Sequence, residues 1–199
     1  LLIEMQVCRS DEFLQFAVPL MKETFDINGP EWEVGNIINL YTKVEKDFIR
    51  VEADEVTYPA HVILRFELEQ AAIKGDLQMS DLPDAWNEGM ETLLGIKPPT
   101  DREGCLQDIH WYDGAWGYFP TYTLGAMTAA QLFAKSKTEK PEILESITKG
   151  NFKPLMSWLI TNVHSKGCSL STKDLITVAT GEPLNAKFFK SHLQNRYLN

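Results

Sequence analysis

Residues 104–111, with the sequence GCLQDIHW, place hydrogen-bonding side chains beside large apolar ones. Burying such polar groups is costly unless each finds a partner, so a packed core rarely requires this mixture. Asp108 and His110 are two residues apart, so their side chains diverge in a helix, which argues against direct pairing. Gln107 and Trp111, four residues apart, could share one face. The run is a candidate wall of a catalytic or binding site in which His110 donates hydrogen bonds; a core histidine packed under Trp111 is the alternative.

Arg50 and Asp54 form a second candidate for binding chemistry, because they stand at i and i+4 spacing. In a helical turn the guanidinium and the carboxylate lie on one face and can pair. An arginine held in this way keeps spare donors, and its planar fork suits a second, incoming carboxylate. The spacing therefore indicates either a carboxylate-binding arginine or a structural ion pair at the start of a helix.

Tyrosines and other polar residues extend the candidate site. A tyrosine hydroxyl at the edge of a cleft can bind a carboxylate or stabilise a developing oxyanion. Tyr122, with Tyr118 second, is the candidate for this role, and simple packing is the alternative. Tyr58, His61 and Arg65 recur at helical spacing, so they could line the same site or form a solvated helix face.

The elements that must position these residues are helices. The predicted helices begin after a Ser10 cap, near residues 30 and 54 and at 80–84, and then cover residues 120–136, 141–148, 151–164, 171–181 and 184–197. Gly75, Gly95 and Gly181 are the expected stops. Residues 48–51 are short and β-branched, which allows a strand or an extended lead-in. We predict an all-α fold, a compact single helical domain over residues 1–199 with at most one short strand or hairpin.

Composition narrows the possible functions. The chain is 44% apolar and 24% charged, which is ordinary for a globular protein. The net charge of −9 argues against non-specific binding to nucleic acid or to an anionic membrane surface. No apolar run approaches the ~20 residues that a membrane span needs. Cys8, Cys105 and Cys168 form no Cys-x-x-Cys pair, which favours reduced thiols in a cytoplasmic protein.

Two of these segments together resemble signature motifs of the thermostable carboxypeptidase family of zinc metallopeptidases, typified by carboxypeptidase Taq (M32). Residues 49–54 match Ile-Arg-x-x-Ala-Asp in full, and residues 104–111 match Gly-x-x-Gln-Asp-x-His-Trp at every fixed position. Residues 117–125 resemble the segment that follows the second motif. The resemblance covers essentially the whole chain.

The resemblance implies a cleft that receives the C-terminus of a peptide. Arg50 is then expected to bind the terminal carboxylate, with Tyr118 and Tyr122 beside it. Tyr122 and His110 are the expected catalytic residues. The residues expected to support them are Asp54, Gln107, Asp108 and Trp111.

The family's metal-binding motif, His-Glu-x-x-His, occurs nowhere in the 199 residues. Residues 1–6 resemble the stretch just beyond the last metal ligand, a glutamate, so no ligand is expected in this chain. We therefore expect the C-terminal portion of a zinc-dependent metallocarboxypeptidase, inactive alone, whose missing N-terminal portion holds zinc or another divalent metal. The resemblance also implies a homodimer. The alternative is a non-catalytic helical module, derived from such a peptidase, that binds a partner or dimerises.

Overall fold

The computed structural model describes residues 1–198, and every regular element in this range is helical. The described α-helices are α1 Asp11–Phe25, α2 Val34–Tyr41, α3 Tyr58–Lys74, α4 Leu82–Leu94, α5 Pro120–Glu139, α6 Ile143–Thr148, α7 Lys153–Asn162, α8 Thr172–Thr180 and α9 Ala186–Tyr197. Short 3-10 turns lie at Pro30–Trp32, Arg50–Glu52, Met79–Asp81 and His164–Lys166, and a π-helical segment lies at Leu2–Val7. The predicted all-α fold is confirmed, and the possible strand at residues 48–51 leads into a 3-10 turn instead.

Most helix boundaries follow the residues that predicted them. Ser10 and Ser171 each accept a hydrogen bond, at 3.2 Å, from the backbone N–H three residues further on, which caps α1 and α8. Gly75, Gly95 and Gly181 follow α3, α4 and α8 with φ values of 82°, 70° and 91°. Glycine adopts this left-handed conformation without a Cβ clash, so these residues end the helices where expected.

Helix α3 begins later than predicted, at Tyr58 rather than at Asp54. The carboxylate of Asp54 accepts hydrogen bonds from the N–H groups of Val56 and Thr57, both at 2.9 Å. These bonds hold a turn ahead of the helix. Pro59 then lies in the first helical turn, where its missing N–H costs no hydrogen bond.

The described residues divide into two compact units. One unit is Val44–Leu124, and the other combines Leu1–Lys43 with the residues from Gly125 onward. The expectation of one domain over the whole chain stays a prediction. Every candidate site residue from the sequence lies in the Val44–Leu124 unit. Within the described range, no helix combines the length and apolarity that crossing a membrane requires.

The apolar core of the Val44–Leu124 unit joins α3 to α4. Helix α4 presents Trp86, Met90 and Leu94 at four-residue spacing, and Leu64 and Leu68 of α3 pack in the same cluster. All five are buried. Fully burying a side chain of this size contributes roughly 1.5–3 kcal/mol. This cluster fixes α3 on α4, and with it the polar residues that α3 carries.

Candidate functional site

Gln107 ties the loop between α4 and α5 to the rest of its unit. Its Nε2 donates to the carbonyl oxygens of Phe48, at 2.9 Å, and Glu103, at 2.8 Å. Its Oε1 accepts from the backbone N–H of Arg50 and from Nη2 of Arg65, both at 2.8 Å. Since every polar atom of this amide is used, Gln107 holds the loop, the backbone of Arg50 and α3 in one fixed arrangement.

Asp108 lies between two arginines that come from different elements. Its Oδ1 accepts from Nε and Nη2 of Arg50, at 3.0 and 2.7 Å. Its Oδ2 accepts from Nε of Arg65 at 2.6 Å. All three side chains are buried, and Arg65 has no exposed surface. Hydrogen bonds between charged groups are among the strongest in proteins, so this arginine–aspartate–arginine cluster is a rigid feature of the unit.

The predicted pairing of Arg50 with Asp54 is wrong. That pairing needs an α-helical turn, but Arg50–Glu52 is a 3-10 turn. Asp54 accepts backbone hydrogen bonds instead, from Glu45 at 2.9 Å and from the two N–H groups ahead of α3. Asp54 therefore shapes the backbone that follows Arg50 and does not hold its side chain.

Burial and charge act against each other on the pKa values of the cluster. Burial alone would raise the pKa of Asp108, but the hydrogen bonds and charges of Arg50 and Arg65 hold it below its usual value. For Arg50, burial is outweighed by Asp108, so its pKa lies above the usual value. Burial lowers the pKa of Arg65 to about 10, although Asp108 opposes this. At neutral pH the cluster therefore holds two positive charges and one negative charge.

The guanidinium of Arg50 faces aromatic rings. Its Nη1 donates to the hydroxyl of Tyr58 at 2.6 Å, and burial raises the pKa of that hydroxyl although Arg50 opposes this. Its Cζ lies 5.1 Å from the ring centroid of Tyr122 and 5.3 Å from that of Phe119, within cation–π range. Three of its five N–H groups have protein partners among the described residues, which leaves two further donors.

His110 and Tyr122, the expected catalytic pair, lie in direct contact. Nε2 of His110 is 2.9 Å from the hydroxyl oxygen of Tyr122. Nδ1 of His110 is buried without a hydrogen-bond partner among the described residues, and it lies 3.9 Å from Oδ1 of Asp108, too far for a hydrogen bond. Asp108 and His110 are thus close without sharing a hydrogen bond, in a segment that is not helical. The rings of Phe119 and Tyr118 pack on the imidazole, with centroids at 4.4 and 5.7 Å.

Trp111 anchors the loop in a different way. Its Nε1 donates to Oε1 of Glu69 on α3 at 2.7 Å, and its ring stacks on Trp116 with centroids 5.4 Å apart. Gln107 serves other partners, so the two side chains do not form the shared face that their spacing allowed. The roles of Glu69 and Phe119 were missed from sequence. Only Glu69 carries a weak signal, since it continues the four-residue spacing of His61 and Arg65.

His61 and Arg65 of α3 are both buried, so the solvated-face alternative is wrong for these two residues. Neither ring nitrogen of His61 has a hydrogen-bond partner among the described residues. Burial, helped by the charges of Arg65 and Arg50, lowers the pKa of His61 to about 4, so the ring is neutral at pH 7. Tyr58 is half-buried and reaches Arg50.

The profile of the carboxypeptidase Taq (M32) metallopeptidases matches residues 1–197 of the 199. The chain belongs to this family. The thermostable carboxypeptidase 1 of Pyrococcus furiosus is 40% identical over 190 residues, which are 96% of this chain but 38% of that protein. Carboxypeptidase 1 of Bacillus subtilis is 40% identical over 179 residues, 90% of this chain and 36% of that protein. The chain thus spans less than two-fifths of these curated M32 relatives.

Solved structures of M32 proteins share this fold. The metallocarboxypeptidase 1 of Trypanosoma cruzi has a TM-score of 0.96 and 38% identity, with coverage of 100% of this chain and 41% of that one. The Pyrococcus furiosus carboxypeptidase has a TM-score of 0.93 and 39% identity, over 98% of this chain and 39% of that one. The all-helical architecture is therefore that of this part of the M32 fold.

A metal is implied because the M32 family consists of metallopeptidases. Among residues 1–198, no group of three or more histidine, cysteine, aspartate or glutamate side chains could hold a metal ion. Asp108, a buried carboxylate of the site, accepts hydrogen bonds from two arginines, and Nε2 of His110 is occupied by Tyr122. The described residues form no metal centre by themselves, so the chemistry assigned to this site is binding and hydrogen bonding.

Proposed function

We propose that this chain is the C-terminal portion of a metallocarboxypeptidase that releases C-terminal amino acids from peptides, and that it forms the side of the cleft that binds the substrate carboxylate. The observation that carries this proposal is the guanidinium of Arg50, which Asp108 and Tyr58 fix while two N–H groups remain. A planar fork held in this way suits bidentate binding of a carboxylate. The metal, zinc or another divalent ion, is proposed to be held by residues outside this chain.

We assign Tyr122 and His110, which are in direct contact, to the scissile carbonyl of such a substrate. With its proton on Nε2, His110 donates to the oxygen of Tyr122 and leaves the phenolic proton free. Tyr122 then donates that proton in a hydrogen bond to the oxyanion that develops at the carbonyl. Tyr118 is 49% exposed and packs edge-on against Tyr122 at 5.4 Å, which suits contact with the leaving residue.

The test uses the full-length protein that contains this chain, loaded with metal. A peptide with a free C-terminus should lose its last residue, whereas the same peptide with an amidated C-terminus should not. Tyr122→Phe should lower kcat by about 100- to 1,000-fold, the usual effect of losing one oxyanion donor. Tyr112→Phe is the control, because Tyr112 is an exposed tyrosine of the loop between α4 and α5. Equal cleavage of the amidated peptide, or an unchanged kcat in Tyr122→Phe, would contradict the proposal.

The other assignments for the intact protein are a homodimer and a cytoplasmic location, and both stay predictions. The alternative of a non-catalytic module makes a different prediction in the same assay. A module would leave both peptides intact in the full-length, metal-loaded protein.

A further inference from the structure

Arg65 lies outside both motifs that carry the family resemblance, yet it is among the most buried residues of the site, with 0% exposure. It stands on α3, and its Nη1 donates to the carbonyl oxygen of His61 one turn earlier at 2.8 Å. Its Cζ lies 4.5 Å from the ring of Trp86 and 5.3 Å from the ring of Phe119. Because helix backbone and two rings hold it, Arg65 is a fixed point within this unit.

Arg65 contacts both groups that hold Arg50. Its Nε donates to Oδ2 of Asp108 at 2.6 Å, which leaves Oδ1 for Arg50. Its Nη2 donates to Oε1 of Gln107, the atom that also accepts from the backbone N–H of Arg50. The orientation of the Asp108 carboxylate is therefore set from the α3 side, and the Arg50 guanidinium takes its position from that carboxylate.

The charges in the cluster have a second consequence. Arg50 and Arg65 share one carboxylate, so the hydrogen-bonded cluster carries one uncompensated positive charge. The neighbouring His61 adds no further charge at pH 7, because its pKa is about 4. Without Arg65, Asp108 would neutralise Arg50 alone, and an incoming anion would gain less there.

We propose that Arg65 is a positioning residue for the substrate carboxylate. It acts through Asp108 and Gln107 to fix the guanidinium of Arg50, and its charge gives the cluster of Arg50, Asp108 and Arg65 a net charge of +1. The terminal carboxylate of the peptide neutralises that charge. This inference rests on the proposed function, in which Arg50 binds the terminal carboxylate.

The experiment compares wild type, Arg65→Met and Arg65→Lys in the full-length, metal-loaded protein. Arg65→Met should raise KM by about 10- to 100-fold, the range expected when a charged hydrogen-bonding network is broken, while kcat changes little. Arg65→Lys should raise KM less than Arg65→Met does, because lysine keeps the positive charge but lacks the planar fork of arginine. A purely structural role would instead lower the folded fraction, and so the apparent kcat and Tm, at unchanged KM. Leu68→Ala on the same helix is the matched control and should lower Tm at unchanged KM.

A binding measurement separates this inference from the proposed function. Calorimetry with an N-acetylated amino acid, against its C-terminal amide, reports carboxylate binding without turnover. Wild type that binds the acid and Arg65→Met that binds it at least tenfold more weakly would support the inference. Equal binding by both proteins would overturn the inference alone. Wild type that neither binds the acid nor cleaves peptides would overturn the proposed function and the inference with it. If Arg65→Met fails to fold, the same comparison with Arg65→Lys decides.

Discussion

Asp108 is the residue on which the charged part of the site depends. It pairs with two buried guanidinium groups, so any change that removes its charge leaves two positive charges without this carboxylate. Breaking a buried ion pair by removing one partner typically costs about 3–5 kcal/mol, whereas exposed pairs contribute little. The network is therefore expected to matter for stability as well as for binding.

Asp108→Asn should lower the free energy of unfolding by about 3–5 kcal/mol, because the amide keeps one acceptor but turns a donor toward an arginine. Chemical denaturation at pH 7, followed by tryptophan fluorescence, measures the change. Glu145→Gln is the control, since Glu145 forms an exposed i, i+4 pair with Lys149. A similar loss in both variants would contradict this account.

Local spacing could not predict which side chains hold Arg50. Arg50 and its partner Asp108 are 58 residues apart, and such a pair leaves no trace in helical periodicity. The spacing argument could only offer a neighbour, Asp54, and it did so wrongly. Local spacing also gave no sign of the direct contact between His110 and Tyr122, although the family resemblance had named both residues.

Elements with local signals were predicted well. The capping serines and the glycines after α3, α4 and α8 define helix ends through contacts within a few residues. The loop between α4 and α5 behaves differently, because its structure depends on bonds to distant groups such as Phe48, Glu69 and Arg65. The path of its backbone was therefore not predictable from propensity.

Two glycines offer a matched test of whether local backbone conformation defines the helix ends, since an added Cβ would meet nothing within 4 Å at either. Gly75 has φ +82°, so Gly75→Ala should destabilise by about 1 kcal/mol through backbone strain. Gly35 lies inside α2, so Gly35→Ala should stabilise by up to about 1 kcal/mol. Thermal unfolding of both variants measures the shifts. Shifts of the same sign would show that the backbone conformation assigned to one of them is wrong.

At the scale of the whole molecule, the buried His61 links stability to pH. Its pKa is about 4 in the folded protein and 6.5 for an ordinary histidine. Between these values the unfolded chain binds a proton that the folded protein excludes, so stability falls as the pH falls from 6.5 to 4. Asp108 affects stability at a lower pH than His61 does. Because its pKa is lowered in the folded protein, the stability that it contributes is lost only as the pH falls below 3.8, the usual pKa of an aspartate.

The free energy of unfolding should therefore drop by about 3 kcal/mol between pH 6.5 and 4 on account of His61. His61→Leu should remove that part of the slope, because the replacement has no proton to gain and neither ring nitrogen has a partner to lose. Denaturant titrations at several pH values in this range, for both proteins, give the comparison. Parallel slopes would show that His61 does not exclude the proton.

The stacked indoles of Trp111 and Trp116 have an optical consequence. Their rings are 5.4 Å apart and only 14° from parallel, so their electronic transitions couple. Aromatic rings held in a fixed geometry give a near-ultraviolet circular dichroism signal, which is lost once packing becomes fluid. The loop that carries His110 therefore contains its own chromophore, and its order can be followed in solution without a label.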